Sequence, residues 1–129
     1  MKRSIALTLA LLFLVVLVPT LSAQYNKDLV VQKMRSNGAL VGQINTAVGA
    51  EDFYTSALRL MDLAANFKAL EATDPPKGSK AEWERINGEA VRAAFRGVGA
   101  CGEQDLEQLK AEIGAILALM KEGHTKFRG

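Results

Sequence analysis

The chain has 129 residues, of which 49% are hydrophobic and 23% are charged, and its formal net charge is +2. This length favours a single domain, and the apolar content excludes an intrinsically disordered or collagen-like chain. Cys101 is the only cysteine, so an internal disulfide is excluded. Stability must therefore come from packing or from a bound ligand.

The N-terminal segment has the pattern of a secretory signal peptide. Two basic residues precede an uncharged apolar run over 5–18, and small residues lead up to Ala23. The run is short for a bilayer span, although an uncleaved anchor helix is the alternative. We predict that residues 1–23 are removed and that 24–129 form one periplasmic or secreted domain without a membrane segment.

The charge of the mature chain argues against polyanionic partners. Removal of 1–23 takes away two of the 16 Lys and Arg side chains and none of the 14 Asp and Glu side chains. The remaining charge is close to zero, whereas nucleic acids and anionic membrane surfaces require a clustered positive excess. We predict neither of them as a partner.

Four segments repeat apolar residues at spacings of three and four, which predicts four amphipathic helices and no strand. The predicted ranges are 28–48, 52–70, 81–98 and about 104–127. Short connections and one longer central loop predict an all-α fold, an antiparallel up-down-up-down four-helix bundle. The apolar positions of the first and last helices are Val30, Met34, Val41, Ile44 and Val48, and Leu106, Leu109, Ile113, Ile116, Met120, His124 and Phe127.

The ends of the third helix carry the clearest local signals. Ser79 with Glu82 three residues later forms a capping-box pattern, which predicts a helix start. Gly97, Gly99 and Gly102 are predicted to break this helix. Cys101 would then lie in the turn before the last helix.

Residues suited to catalysis are scarce. There is one histidine, His124, and the sequence contains no Gly-rich phosphate loop and no Cys or His metal-ligand spacing. At about 1.5 Å per helical residue, Cys101 lies roughly 35 Å from His124, so the two cannot form a catalytic dyad. We predict that the protein is not an enzyme.

His124 lies on the apolar stripe near the end of the last helix, and two interpretations are open. It is either a partly exposed side chain whose protonated form the helix dipole favours, or a metal ligand. Met34 likewise either fills the core or acts as a ligand.

The last helix ends in MKEGHTKFR at 120–128, which resembles the C-K-x-C-H-x-K-[FY]-R terminus of the class II cytochromes c, the cytochrome c-prime family. Met120 and Gly123 replace both cysteines of the C-x-x-C-H haem-attachment motif. The segments MRSNG at 34–38, GAEDF at 49–53 and PPKG at 75–78 also resemble this family. The residues that match the terminal motif in register are Lys121, His124, Lys126, Phe127 and Arg128.

The resemblance implies that His124 is an axial ligand of haem iron and that Met34 is the second. Antiparallel first and last helices would bring the two side chains together, with Met120, Phe127 and Arg128 beside the cofactor. Without the cysteines, haem would be held non-covalently, as in b-type members of the four-helix cytochrome superfamily. The implied function is one-electron transfer with a redox partner protein, or gas binding if the iron is five-coordinate.

A haem-less relative is the alternative implied by the lost cysteines. Met120 could fill the former thioether site and close the cavity, leaving a binding or structural module. A homodimer, with Cys101 paired between subunits, is compatible with either interpretation.

Overall fold

The structure is a computed structural model that describes residues 25–128, so the predicted signal peptide at 1–23 lies outside the described residues. The helices are α1 (Lys27–Gly49), α2 (Phe53–Glu71), α3 (Lys80–Gly102) and α4 (Leu106–Phe127), and no strand occurs within 25–128. The predicted all-α four-helix bundle is confirmed. None of these helices has the length and hydropathy needed to cross a membrane.

Each helix begins at a polar side chain that accepts a hydrogen bond from the backbone N–H three residues later, which satisfies a group the helix itself leaves unpaired. At the start of α3, the Ser79 hydroxyl accepts from the Glu82 N–H at 3.3 Å, as the capping-box pattern predicts. The other capping residues are Asn26, Asp52 and Asp105.

The prediction that glycines break α3 is wrong, because the helix continues through Gly97 and Gly99 to Gly102. A Cβ at Gly97 would lie 2.9 Å from Leu60 Cδ1, so α3 approaches α2 as closely as a missing side chain permits. Packing of this kind outweighs the roughly 1 kcal/mol helix penalty of a glycine.

Cys101 consequently lies in the last turn of α3 rather than in the connection that follows. Its side chain is 5% exposed, which is too little for the disulfide between subunits that the sequence suggested. Burial also raises the pKa of the Cys101 thiol, which favours the unreactive protonated form.

The backbones of consecutive helices lie close together, from α1 to α2, α2 to α3 and α3 to α4. Within 25–128, the backbones of α1 and α4 hardly approach each other. Close backbone packing therefore does not join the first and last helices. The fully buried side chains at the centre of the core include Ile44, Leu60, Leu63, Leu70, Leu109 and Ile116.

Candidate ligand-binding site

A cavity of about 130 Å³ lies inside the end of the bundle where α4 ends. Met34 of α1 and His124 of α4 both line it, so the antiparallel arrangement brings these two predicted ligands to one place. Met34 is half-buried, whereas His124 is exposed. The remaining lining residues are Asn37, Gly38, Phe67, Leu70, Trp83, Ile86, Asn87, Leu119, Met120, Gly123 and Phe127.

Met120 and Gly123, which stand where the resemblance places thioether cysteines, both line this cavity. The Met120 side chain is half-buried in the wall. A Cβ at Gly123 would lie 3.7 Å from a methyl carbon of Ile86, an ordinary contact distance. Neither position carries a thiol, so no residue lining the cavity can form a thioether bond.

Phe127 forms part of the cavity wall and anchors the end of α4. It is 3% exposed, and its ring packs edge to face against Trp83 with 5.1 Å between the ring centroids. Gly78, at φ 82°, lies in the central loop, and a Cβ there would be 3.3 Å from the Phe127 ring. The loop between α2 and α3 therefore packs against the end of α4.

Arg128 lies outside the cavity wall, in an adjoining surface groove of about 420 Å³. The groove shares Met34, His124 and Phe127 with the cavity, so the cavity and the groove adjoin. Arg35 also lines the groove, and both arginines are exposed. A ligand reaching from the cavity into the groove would meet two guanidinium groups, which favour carboxylate partners.

Asn37 is a feature of the site that the sequence reasoning missed. It is 2% exposed, it lines the cavity, and its Oδ1 has no hydrogen-bond partner. The signal was present, since position 37 lies three residues after Met34 and four before Val41 on the apolar stripe of α1. A polar residue at such a position is expected to be buried with α1's apolar side chains.

Four charged side chains join α3 to the end of α4. Arg85 of α3 contacts Glu122 of α4 and donates to Glu82 at 2.8 Å. Lys126 of α4 lies 3.0 Å from Glu122 and 3.4 Å from Glu82. The last turns of α4 also carry His124, so these ion pairs hold against α3 the part of the helix from which its side chain projects. Glu122 and Lys126 are thus paired with each other and with α3.

These contacts shift the pKa of each partner towards its charged form. Hydrogen bonds from Arg85 and Lys126 lower the pKa of both Glu82 and Glu122, and the carboxylates raise the pKa of both cations. All four side chains are partly exposed, so salt screens their interactions.

We expect the melting temperature to fall as the pH drops below the ordinary glutamate value of 4.5. A carboxyl whose pKa is lower in the folded state adds stability above its unfolded pKa and loses it as the pH falls through the folded pKa. The double variant Glu82→Gln, Glu122→Gln should show a shallower acid slope in a melting series. Glu107→Gln, outside this cluster, should keep the parental slope, and equal slopes for all three proteins would contradict the assignment.

Within residues 25–128, no group of three or more His, Cys, Asp and Glu side chains is arranged to hold a metal ion. No family model, curated protein or solved structure matches the chain. The resemblance to the cytochrome c-prime family therefore stays a prediction from the terminal motif and the segments at 34–38, 49–53 and 75–78, while the four-helix bundle stands on the structure.

Proposed function

We propose that this protein binds one haem non-covalently at the cavity and carries single electrons. The observation that supports this most directly is that Met34 and His124, from the first and last helices, line the same cavity. A thioether and an imidazole are the axial ligand pair of the cytochromes c, which transfer electrons. The established chemistry of such a pair requires no acid, base or nucleophile from the protein.

The residues around the cavity fit a porphyrin in chemical character. Phe67, Trp83 and Phe127 supply an apolar aromatic wall, and burial against such a wall provides much of the affinity for a flat apolar ligand. Arg35 and Arg128 line the groove, where the propionate carboxylates of a haem would find cationic partners.

The volume of the site is a more demanding requirement for haem binding than its chemical character. Small-molecule sites usually measure about 300–1,000 Å³. The cavity alone has about 130 Å³, and the adjoining groove adds about 420 Å³. Haem would therefore occupy both, entering between α1 and α4. Because the backbones of these two helices hardly approach each other, moving them apart would disrupt little close backbone packing.

Bound haem would supply a one-electron iron couple, and ligation by methionine and histidine raises its potential. The protein's own residues would perform three tasks. The aromatic wall excludes water from one face of the site. Ion pairs hold the turns of α4 that carry His124, and they are formed by Arg85, Glu82, Glu122 and Lys126. The arginines of the groove orient the ligand.

Titration of the mature protein with haemin tests the proposal. We expect a saturable Soret shift, a low-spin spectrum and a higher melting temperature, since a ligand that binds only the folded state stabilises it by mass action. Acid organic solvent should extract all the haem. A titration with neither a Soret shift nor a change in melting temperature would refute the proposal.

Three variants assign the ligands. His124→Ala should abolish the low-spin spectrum, and Met34→Ala should convert it to high spin and lower the potential. Met61→Ala is the matched control, because Met61 lies on α2, is 45% exposed and does not line the cavity. A Met34→Ala spectrum indistinguishable from that of Met61→Ala would exclude Met34 as a ligand.

A haem-less binding module is the second candidate. The specific observation in its favour is that Met120 lines a cavity of only about 130 Å³ and so reduces the space for a porphyrin. This candidate predicts that the haemin titration fails while the cavity retains affinity for a smaller molecule.

A further inference from the structure

Asn37 differs from the other buried asparagines of the described chain. Asn66 Nδ2 donates to the Ser36 hydroxyl at 2.9 Å, and Asn87 Nδ2 donates to the Trp83 carbonyl at 2.9 Å. Asn37 is the most deeply buried of the three, at 2% exposure, yet its Oδ1 has no partner. A buried polar atom without a partner costs folding free energy, so such atoms in native proteins call for a physical explanation.

The position of Asn37 suggests what that explanation is. Its side chain lines the cavity, and the final torsion of an asparagine side chain is broad and roughly two-fold, so a rotation of about half a turn exchanges the two ends of the carboxamide. A hydroxyl group both donates and accepts hydrogen bonds, so it can pair with Oδ1 or with Nδ2. The chemistry of this position therefore favours a ligand that carries one hydroxyl.

The size and wall of the cavity define the rest of the ligand. Its volume of about 130 Å³ is close to that of an engineered apolar cavity of about 150 Å³ that binds benzene. Phe67, Trp83 and Phe127 present aromatic rings, which favour edge-to-face contacts with another ring. One six-membered ring matches this space, whereas a fused ring system would need the groove as well.

From these observations we infer that the cavity binds a small single-ring phenol, with the ring against the aromatic wall and the hydroxyl hydrogen-bonded to the carboxamide of Asn37. The ligand enters from the groove that shares Met34, His124 and Phe127 with the cavity. This inference does not rest on the haem proposal, because it needs neither iron nor the two axial ligands. A haem at the same place would displace the phenol.

Phenol and benzene form the critical pair of probes, because they differ by the one hydroxyl. Calorimetric titration of the haem-free mature protein should show phenol binding about fivefold to tenfold more tightly than benzene, the effect of one hydrogen bond to a buried group. Equal affinities, tighter benzene binding or no binding of either probe would each overturn the inference.

Asn37→Leu tests the residue assignment. Leucine is similar in size and needs no hydrogen-bond partner, so this variant should stay folded, retain benzene binding and lose the preference for phenol. Asn66→Leu is the control, because Asn66 is also buried but does not line the cavity, and it should keep the preference. Retention of the full phenol preference in Asn37→Leu would also overturn the inference.

Phenol and haemin titrations of the same mature protein separate this inference from the haem proposal. Phenol binding without any haemin Soret shift supports the inference and refutes haem. A Soret shift without phenol binding to the haem-free protein supports haem binding and overturns the phenol inference. If both bind, added haemin should release phenol. Simultaneous binding would overturn the inference, because phenol would then occupy a place other than the cavity.

Discussion

Replacing Trp83 by alanine is expected to lower the free energy of unfolding by about 3–5 kcal/mol. The side chain is 2% exposed, its ring packs against Phe127, and its Nε1 donates to the Leu70 carbonyl at 2.8 Å. Truncation would remove these contacts and enlarge the cavity that Trp83 lines, and the neighbouring helices can relax only partly into the space. Urea denaturation followed by circular dichroism measures the change.

Trp83→Phe removes the hydrogen bond at this position and keeps part of the packing. Phenylalanine keeps an aromatic ring but loses the Nε1 donor. The Leu70 carbonyl would still accept from the Thr73 hydroxyl at 2.9 Å and from the Thr73 N–H at 3.0 Å, so it would not be left unpaired. We expect a loss of about 1 kcal/mol from the hydrogen bond and a further loss from the part of the ring that phenylalanine does not replace, with a total below that of Trp83→Ala. If Trp83→Ala cost no more than Trp83→Phe, the ring would not be the anchor described here.

Replacing Gly97 by leucine is the second substitution with a large expected effect. A Cβ at Gly97 would lie 2.9 Å from Leu60 Cδ1 and 3.8 Å from Glu112 Cβ, and Leu60 is 0% exposed. The added side chain would force α3 away from α2 and α4. Overpacking of this kind costs about 1–3 kcal/mol and sometimes more, and we expect the upper end because backbone spacing must change. Urea denaturation again provides the measurement.

Gly99→Leu is the matched control on the same helix. A Cβ at Gly99 meets nothing within 4 Å, so leucine there should raise the free energy of unfolding by about 0.5–1 kcal/mol through helix propensity alone. The double variant Leu60→Ala, Gly97→Leu should be more stable than additivity predicts, because the smaller residue makes room for the larger one. Changes of the same sign at Gly97 and Gly99 would contradict this description of the helix contact.

Much of the fold could be predicted because its signals are local. The spacing of apolar residues defines which face of each helix is buried, and capping side chains define where a helix begins. Ser79 and Glu82 illustrate this, since both the motif and the hydrogen bond span only three residues. The end of α3 was mispredicted because glycine is a helix breaker only where no tertiary contact favours it, and Gly97 meets Leu60 from another helix.

The candidate site was predicted less completely. The pattern brought Met34 and His124 to one end of the bundle, and the structure places both at one cavity. The pattern left open whether His124 is exposed, and it did not indicate that Arg128 lies in the groove rather than the cavity wall or that Asn37 is buried without a partner. Each of these properties depends on how far apart two helices lie.

Periodicity, capping and turn residues are therefore sufficient to establish an all-α chain with four helices, because each of these interactions joins residues within one or two helical turns. Cavity volume, the exposure of His124 and the unpaired oxygen of Asn37 depend on the spacing of helices far apart in the chain. That spacing follows from the packing of side chains such as Leu60 against Gly97 and Trp83 against Phe127. The same spacing decides whether the site holds a porphyrin, a single ring or neither.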